Sequence, residues 1–214
     1  MLPSPLYVIC DAEVCARAGW NLIDFAAACM DGGAVLLQIR AKTSSGAAFL
    51  DATEAVLQRA EPFRATVIVN DRADIARIAG AHGVHVGQDD LPPWAVRAVA
   101  GRAAIVGLST HTTEQIAVAV REPVSYLAIG PVFGTGTKET GYTAVGLTRV
   151  REAADRAHAA SMPVVAIGGI AVDTAAEVLA AGADAVAVIS GLLTSGDPGT
   201  TTRAYLQRLG AWQR

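Results

Sequence analysis

The chain has 214 residues, of which 52% are hydrophobic and 17% are charged, and its net charge is only −3. This length suits one domain over residues 1–214, whose core can fold without disulfides or a structural metal. Lysine and arginine are dispersed, so no basic surface for nucleic acid is expected. No apolar stretch reaches the roughly 18 residues of a membrane span without a charge, glycine or proline. We therefore expect no nucleic-acid or membrane partner.

The amino-terminal segment and the cysteines indicate a cytoplasmic protein. The first residues lack the basic region, apolar run and cleavage site of a secretory signal. The cysteines have neither C-x-x-C spacing nor a neighbouring histidine cluster, so we expect them to be buried apolar side chains. They are Cys10, Cys15 and Cys29.

Short apolar runs recur along the chain and predict eight strands. They cover residues 6–10, 34–39, 65–69, 83–86, 104–108, 126–129, 163–167 and 185–189. Alanine-rich amphipathic segments lie between most of them, for example residues 20–31, 46–60, 112–121, 147–160 and 173–181. This alternation predicts βαβ units and a parallel sheet, and eight units in this length favour a single-domain α/β (β/α)8 TIM barrel. A doubly wound open sheet is the alternative. Residues 195–202 read as a loose stretch.

The second predicted strand ends in polar residues that share one face. Because side chains alternate along a strand, Gln38, Arg40 and Lys42 point one way, and Ile39 and Ala41 point the other way. Two cations and an amide at the carboxyl end of a barrel strand predict an anion site. The alternative is that Arg40 and Lys42 merely lie at an exposed rim, but Gln38 is too deep in the run for that interpretation.

Carboxylates follow the third and fourth strands, at Asp71 and Asp90. Neighbouring parallel strands end at the same edge, so these groups are expected to meet near the mouth of the barrel. Mg²⁺ commonly binds one or two carboxylates together with water and phosphate oxygens, which predicts a magnesium site. As alternatives, Asp90 caps the following helix, or Asp89 takes its place as the ligand.

Ser109 and His111 follow the fifth strand. No G-x-S-x-G motif is present, and the two residues are too close in sequence to suggest a conventional triad. Ser109 is therefore interpreted as a hydroxyl donor to a substrate or leaving group. For His111, a role in orienting a loop and a role in the chemistry both remain open.

Glycine-rich segments follow the sixth, seventh and eighth strands. Residues 130–141 contain glycines, threonines and one lysine without the order of a P-loop, and predict a flexible lid, with an ordinary surface loop as the alternative. Gly168 and Gly169 follow strand seven, and Ser190 follows strand eight. In barrels these loops often bind phosphate, so we expect a phosphate site in preference to simple turn geometry.

Seven short motifs occur in the order in which they occur in thiamine phosphate synthases, and the chain resembles that family over about residues 6–193. The motifs are Gln38-Ile39-Arg40-Ala41-Lys42, Asn70-Asp71-Arg72, His85-Val86-Gly87-Gln88-Asp89-Asp90, Gly107-Leu108-Ser109-Thr110-His111, residues 130–138, Ile167-Gly168-Gly169-Ile170 and Ile189-Ser190. Each motif alone is weak, but together they are specific. Two departures from the family pattern are Ala41 in place of a more usual glutamate and Gly134 in place of a frequent proline.

The resemblance implies three groups of site residues. An aminopyrimidine diphosphate would be bound by Gln38, Ile39, Arg40, Ala41, Lys42, Asn70, Ser109 and Lys138. A thiazole phosphate would be bound by Thr135, Gly136, Thr137, Gly169, Ile189 and Ser190. Mg²⁺ on the diphosphate would be bound by Asp71 and Asp90. The catalytic residues among them would be Arg40, Lys42, Ser109 and Lys138.

The resemblance also implies a dissociative substitution, in which pyrophosphate leaves the pyrimidine methylene before the thiazole nitrogen attacks. Two alternatives are a related thiazole tautomerase and a non-catalytic barrel that binds thiamine precursors. The tautomerase would not need the diphosphate side of the site, and a binding protein need not keep the metal and leaving-group positions. The implied partners are small molecules, and a homodimer is left open.

Overall fold

The computed structural model describes residues 2–134 and 142–210, which form a closed barrel of eight parallel strands. Each strand pairs with its neighbours in chain order, and β8 closes the barrel on β1. The strands are β1 (Leu6–Asp11), β2 (Leu36–Arg40), β3 (Thr66–Asn70), β4 (Gly83–Val86), β5 (Ile105–Thr110), β6 (Tyr126–Ile129), β7 (Val164–Ile167) and β8 (Ala185–Val188). The predicted barrel is confirmed, and the open sheet was the wrong alternative.

The helices surround the barrel and cover its outer face. They are α1 (Ala12–Arg17), α2 (Leu22–Asp31), α3 (Gly46–Ala60), α4 (Ala73–Ala79), α5 (Pro93–Ala100), α6 (Thr113–Ala119), α7 (Gly146–Ala159), α8 (Val172–Ala180) and α9 (Pro198–Gly210). The described residues also contain two short 3₁₀ helices, Glu61–Phe63 and Ser190–Leu193. No helix within residues 2–134 and 142–210 is long and apolar enough to cross a membrane.

The core has two layers because every strand residue points either to the helices or into the barrel. The outer layer contains the aliphatic face of the strands and the apolar faces of the helices, and its members include Ile39, Val69 and Val106. The inner layer is smaller and contains Tyr7, Tyr126 and several short aliphatic side chains. All three cysteines are buried and free, as predicted, and burial raises the pKa of each thiol.

The carboxyl-terminal segment is more regular than its sequence suggested. The interpretation of residues 195–202 as loose was wrong from Pro198 onward, where α9 begins. Asp197 explains the helix start, because its Oδ1 accepts hydrogen bonds from the backbone N–H groups of Gly199 and Thr200 at 3.0 and 3.2 Å. The cap outweighs the weak helix preference of glycine and threonine in that first turn.

Candidate active site

A cavity of about 980 Å³ opens at the carboxyl ends of the barrel strands. Most of the predicted polar residues line it, together with the loops that follow β7 and β8. The predicted site residues on its wall are Gln38, Arg40, Lys42, Asn70, Asp71, Asp90, Ser109, Gly169, Ile189 and Ser190. The barrel topology therefore brings together side chains that are up to 152 positions apart in sequence (38 to 190).

Residues at the end of β2 have the predicted alternation. Gln38, Arg40 and Lys42 line the cavity. Ile39 and Ala41 instead lie on the opposite face, buried in the layer between barrel and helices. Side-chain contact with a molecule in the cavity is thus available to the first three residues and not to the other two.

Arg40 is held by a carboxylate that the sequence analysis missed. Asp11, the last residue of β1, is only 2% exposed, and its Oδ2 accepts a hydrogen bond from Arg40 Nη1. Its Oδ1 accepts from the backbone N–H groups of Glu13 and Val14, each at 3.1 Å, and so caps α1. An aspartate directly after an apolar run is the same signal that identified Asp71, and it could have identified Asp11. Asp11 fixes the direction in which Arg40 enters the cavity.

Asp71, Asp90 and Lys42 form a charged group at the rim. Lys42 Nζ lies 3.2 Å from Asp71 Oδ2, and the carboxyl groups of Asp71 and Asp90 are close enough to interact through a hydrogen bond. Burial and the charge of Asp90 raise the pKa of the Asp71 carboxyl above its ordinary value, while Lys42 opposes that change. Asp71 also has a left-handed backbone, with φ of 61°. Two adjoining carboxylates repel each other, and a bound divalent cation would remove that repulsion.

The structure removes one of the alternatives for this region, the helix cap, while Asp89 and Asp90 both line the cavity. Asp90 Oδ2 accepts a hydrogen bond from the backbone N–H of Gly87 at 2.7 Å. It does not cap the next helix, because α5 begins at Pro93 without any side-chain cap. Within the two described ranges, no group of three or more His, Cys, Asp and Glu side chains could hold a metal ion. A cation on Asp71 and Asp90 would therefore need further ligands from substrate and water, as Mg²⁺ commonly has.

His111 anchors a loop. Its Nδ1 lies 2.5 Å from the carbonyl oxygen of Gly130, and its ring stacks on Tyr142 with centroids 3.9 Å apart. Its backbone N–H donates to Gln115 Oε1 at 2.7 Å. Both ring contacts involve residues that flank the segment 131–141. Of the two roles left open by the sequence, the contacts favour loop orientation.

Ser109 contacts a histidine that sequence reasoning assigned no role. Ser109 Oγ lies 2.8 Å from His85 Nε2, and His85 Nδ1 lies 2.9 Å from the hydroxyl of Tyr126. Tyr126 in turn contacts Tyr7, whose hydroxyl accepts from Gln38 Nε2. Tyrosines within apolar runs look like ordinary core residues, so only their strand register could have revealed this chain of contacts.

The opposite side of the cavity is formed by backbone. Gly168 and Gly169 have φ of 101° and 67°, and a Cβ on either would lie less than 3.0 Å from the loop at Pro131 or Gly134. Glycine is therefore required for both the conformation and the close approach. Ile189 and Ser190 lie beside this turn at the end of β8. The predicted residues Thr135, Gly136, Thr137 and Lys138 lie outside the described residues.

Comparisons of the sequence and of the structure with known proteins all indicate the same family. The family model described as thiamine monophosphate synthase matches residues 6–192. The chain is 44% identical to a thiamine-phosphate synthase of Koribacter versatilis over 95% of both chains. It is 40% identical to one of Laribacter hongkongensis, over 95% of this chain and 94% of the relative. It is also similar to the solved structure of thiamine phosphate pyrophosphorylase from Pyrococcus furiosus, with 30% identity, a TM-score of 0.85 and coverage of 96% and 95%.

Proposed function

The chain belongs to the thiamine monophosphate synthase family, and we propose that it joins an aminopyrimidine diphosphate to a thiazole phosphate in the cavity at the barrel mouth. The products are thiamine phosphate and pyrophosphate. The family identifies the chain as a transferase of thiamine biosynthesis that acts on small molecules. The observation that carries the assignment of the site is the pairing of oriented cations with two adjoining carboxylates on one rim.

The diphosphate binds on the side formed by β2, β3 and β4. Arg40 lines this side of the cavity while its guanidinium group is paired with the buried Asp11. Lys42 lies on the same side, where its ammonium group is paired with Asp71. A guanidinium group held by a carboxylate has fewer orientations to lose when an anion binds, which favours binding of the diphosphate. Asn70 is buried at the end of β3 and offers an amide to the same part of the cavity.

The adjoining carboxylates fit a magnesium ion that accompanies the diphosphate. Asp71 and Asp90 supply two of its oxygen ligands, in keeping with the donor chemistry that Mg²⁺ prefers. When bound, Mg²⁺ supplies positive charge that stabilises negative charge on the diphosphate. Lys42 already contacts Asp71. It therefore neutralises part of the carboxylate charge before the diphosphate arrives.

The reaction is a substitution at the pyrimidine methylene carbon. The bond between that carbon and the diphosphate oxygen breaks, and both electrons go to oxygen. The lone pair of the thiazole nitrogen then forms the new carbon–nitrogen bond. Negative charge develops on the departing diphosphate, so Arg40 and Lys42 stabilise the transition state more than the ground state. No proton has to be removed from the thiazole nitrogen, so the reaction needs no general base.

The thiazole phosphate binds on the opposite side, where Gly169, Ile189 and Ser190 line the cavity. The turn after β7 and the 3₁₀ helix after β8 occupy the positions that bind phosphate in many barrels. The family resemblance adds Thr135, Gly136, Thr137 and Lys138 to the substrate contacts. With the diphosphate and the thiazole phosphate bound on opposite sides of the cavity, the pyrimidine methylene and the thiazole nitrogen can meet between them.

The test is product formation by the purified protein with both substrates, in Mg²⁺ and in EDTA. The proposal expects pyrophosphate and thiamine phosphate in equal amounts, and only with Mg²⁺. Release of pyrophosphate without thiamine phosphate would indicate hydrolysis. Folded protein that binds thiazole phosphate without turnover would support a binding protein and contradict the proposal.

A further inference from the structure

A continuous chain of hydrogen bonds crosses the barrel interior along the wall of the cavity and ends at Ser109. Gln38 Nε2 donates to Tyr7 Oη at 3.0 Å, and Tyr7 Oη lies 3.0 Å from Tyr126 Oη. Tyr126 Oη lies 2.9 Å from His85 Nδ1, and His85 Nε2 lies 2.8 Å from Ser109 Oγ. Gln38, Ser109, Tyr7 and His85 all line the proposed substrate cavity, although the two tyrosines are each only 1% exposed.

The strand register and one glycine bring His85 and Tyr126 together. His85 on β4 and Tyr126 on β6 are both register partners of Gly107, which lies on β5 between them. A Cβ on Gly107 would lie 2.1 Å from Tyr126 Cζ and 2.5 Å from His85 Nδ1. A side chain at this position would therefore occupy the space in which the histidine and tyrosine make contact. The rings also stack, with centroids 5.6 Å apart.

The orientation of the Gln38 amide, together with the two protonated tyrosines, sets the direction of donation. Burial raises the pKa of both phenols, so each hydroxyl keeps its proton at neutral pH. An amide N–H₂ only donates, so Tyr7 accepts from Gln38 and its own proton goes to Tyr126. Tyr126 thus accepts from Tyr7 and donates its own proton to His85 Nδ1. With the Gln38 amide in this orientation, the opposite direction would leave the buried Tyr7 proton without an acceptor among these groups, which is unfavourable.

This direction determines the state of His85 and Ser109. A neutral imidazole carries one proton, and a ring nitrogen that accepts cannot carry it. Since Nδ1 accepts from Tyr126, the proton lies on Nε2 and is donated to Ser109 Oγ. Ser109 then has its own hydroxyl proton available for an acceptor in the cavity.

We propose that Tyr7, Tyr126 and His85 are positioning residues that form a one-way hydrogen-bond relay and hold Ser109 as a hydroxyl donor toward the substrate. The relay itself follows from the contacts of the barrel interior. The identity of the acceptor, an oxygen or nitrogen of the pyrimidine diphosphate, rests on the proposed function. Each link polarises the next, so the hydroxyl at the end of the relay is a stronger donor than an isolated serine.

The tautomer of His85 tests the relay without any substrate. Long-range proton–nitrogen correlation spectra of protein with isotopically labelled histidine distinguish the two neutral tautomers, and loss of signals in His85→Gln assigns them. The relay expects the proton on Nε2. It also expects Tyr126→Phe to shift the His85 signals, whereas Thr53→Val, which removes a buried hydroxyl that donates to the Phe49 carbonyl oxygen within α3, leaves them unchanged. A proton on Nδ1, as an inverted Gln38 amide would produce, overturns the proposal, and so do unchanged signals in Tyr126→Phe.

Kinetics test whether the relay acts through Ser109. Loss of one hydrogen bond of the relay is worth about tenfold in rate, so Tyr126→Phe is expected to lower kcat by about that factor with little change in the KM for thiazole phosphate. His85→Gln can place an amide N–H near the position of Nε2 and should retain more activity than His85→Leu. Equal rates in these two His85 variants overturn the positioning role. Absence of turnover in the unsubstituted protein would refute the proposed function and leave the tautomer result standing.

Discussion

Replacing Asp11 by asparagine would separate the two tasks of a buried carboxylate. In the present structure Oδ1 caps α1 and Oδ2 accepts from Arg40. Asparagine keeps one oxygen for the cap, but its N–H₂ group then faces the Arg40 guanidinium, donor against donor. The substitution therefore removes the acceptor and the negative charge beside Arg40, with almost no change in side-chain volume.

The magnitude follows from burial. Breaking a buried ion pair by removing one partner costs about 3–5 kcal/mol, and a single hydrogen bond to a charged group contributes about 1.5–3 kcal/mol. The Arg40 side chain is 13% exposed, so water recovers part of the loss. We expect the free energy of unfolding to fall by roughly 2–3 kcal/mol, within the hydrogen-bond range and just below the range for a fully buried ion pair. Because Arg40 also loses its fixed direction, we expect kcat to fall by about tenfold or more, which corresponds to about 1.4 kcal/mol.

Urea denaturation measures the first effect and single-turnover formation of thiamine phosphate measures the second. Asp24→Asn is the matched control, because Asp24 pairs with Arg59 at 3.8 Å on the surface, where both side chains are more than half exposed. That control should change stability by less than about 0.5 kcal/mol. An Asp11→Asn protein with the stability and the rate of the unsubstituted protein would refute the reasoning.

Three further predictions concern the metal side, the barrel interior and the thiols. Asp71→Asn should raise the Mg²⁺ concentration needed for half-maximal activity by about tenfold or more, while Asp74→Asn, at an exposed pair, should not; equal Mg²⁺ titrations would argue against the metal role. Gly107→Ala should lower the free energy of unfolding by about 1–3 kcal/mol because its Cβ would lie 2.1 Å from Tyr126 Cζ, and a thermal melt identical to that of the unsubstituted protein would contradict this packing. Burial raises the pKa of all three thiols, so alkylation by iodoacetamide at pH of about 8 should be slow in the folded protein and fast in urea, and rapid labelling of the folded protein would contradict the burial of Cys10, Cys15 and Cys29.

Periodicity predicted most of the fold because each strand is a nearly continuous apolar run. The bounds of β4 and β6 agree with the predicted runs, and most other strands differ by one or two residues at an end. The start of α9 was missed because it depends on the hydrogen bonds of one aspartate and not on periodicity. A helix cap depends on a single side chain and leaves little trace in the composition of a segment. The glycine, serine and threonine of residues 195–202 therefore suggested irregular structure.

In the candidate site, too, local features could be predicted from the sequence, whereas contacts between distant strands could not. Alternation along β2 was enough to separate Gln38, Arg40 and Lys42 from their neighbours, and the ends of adjacent strands brought Asp71 near Asp90. These inferences need only one strand or two adjacent strands. The relay through the barrel joins side chains from five strands, and its inner members, the two tyrosines and His85, lie within apolar runs. Only the register of the closed barrel shows that these groups meet.

The proposed function depends on Arg40 at the end of β2 and Lys42 just after it, which stabilise the departing diphosphate. The most direct measurement is single-turnover formation of thiamine phosphate by Arg40→Gln at saturating substrates and Mg²⁺, beside Arg59→Gln as the exposed control. Loss of a cation aimed at developing charge costs about 10²–10³ in rate, so Arg40→Gln is expected to fall by that factor while keeping its affinity for thiazole phosphate. Arg59→Gln is expected to react at the rate of the unsubstituted protein. An Arg40→Gln protein that also reacts at that rate would contradict the account.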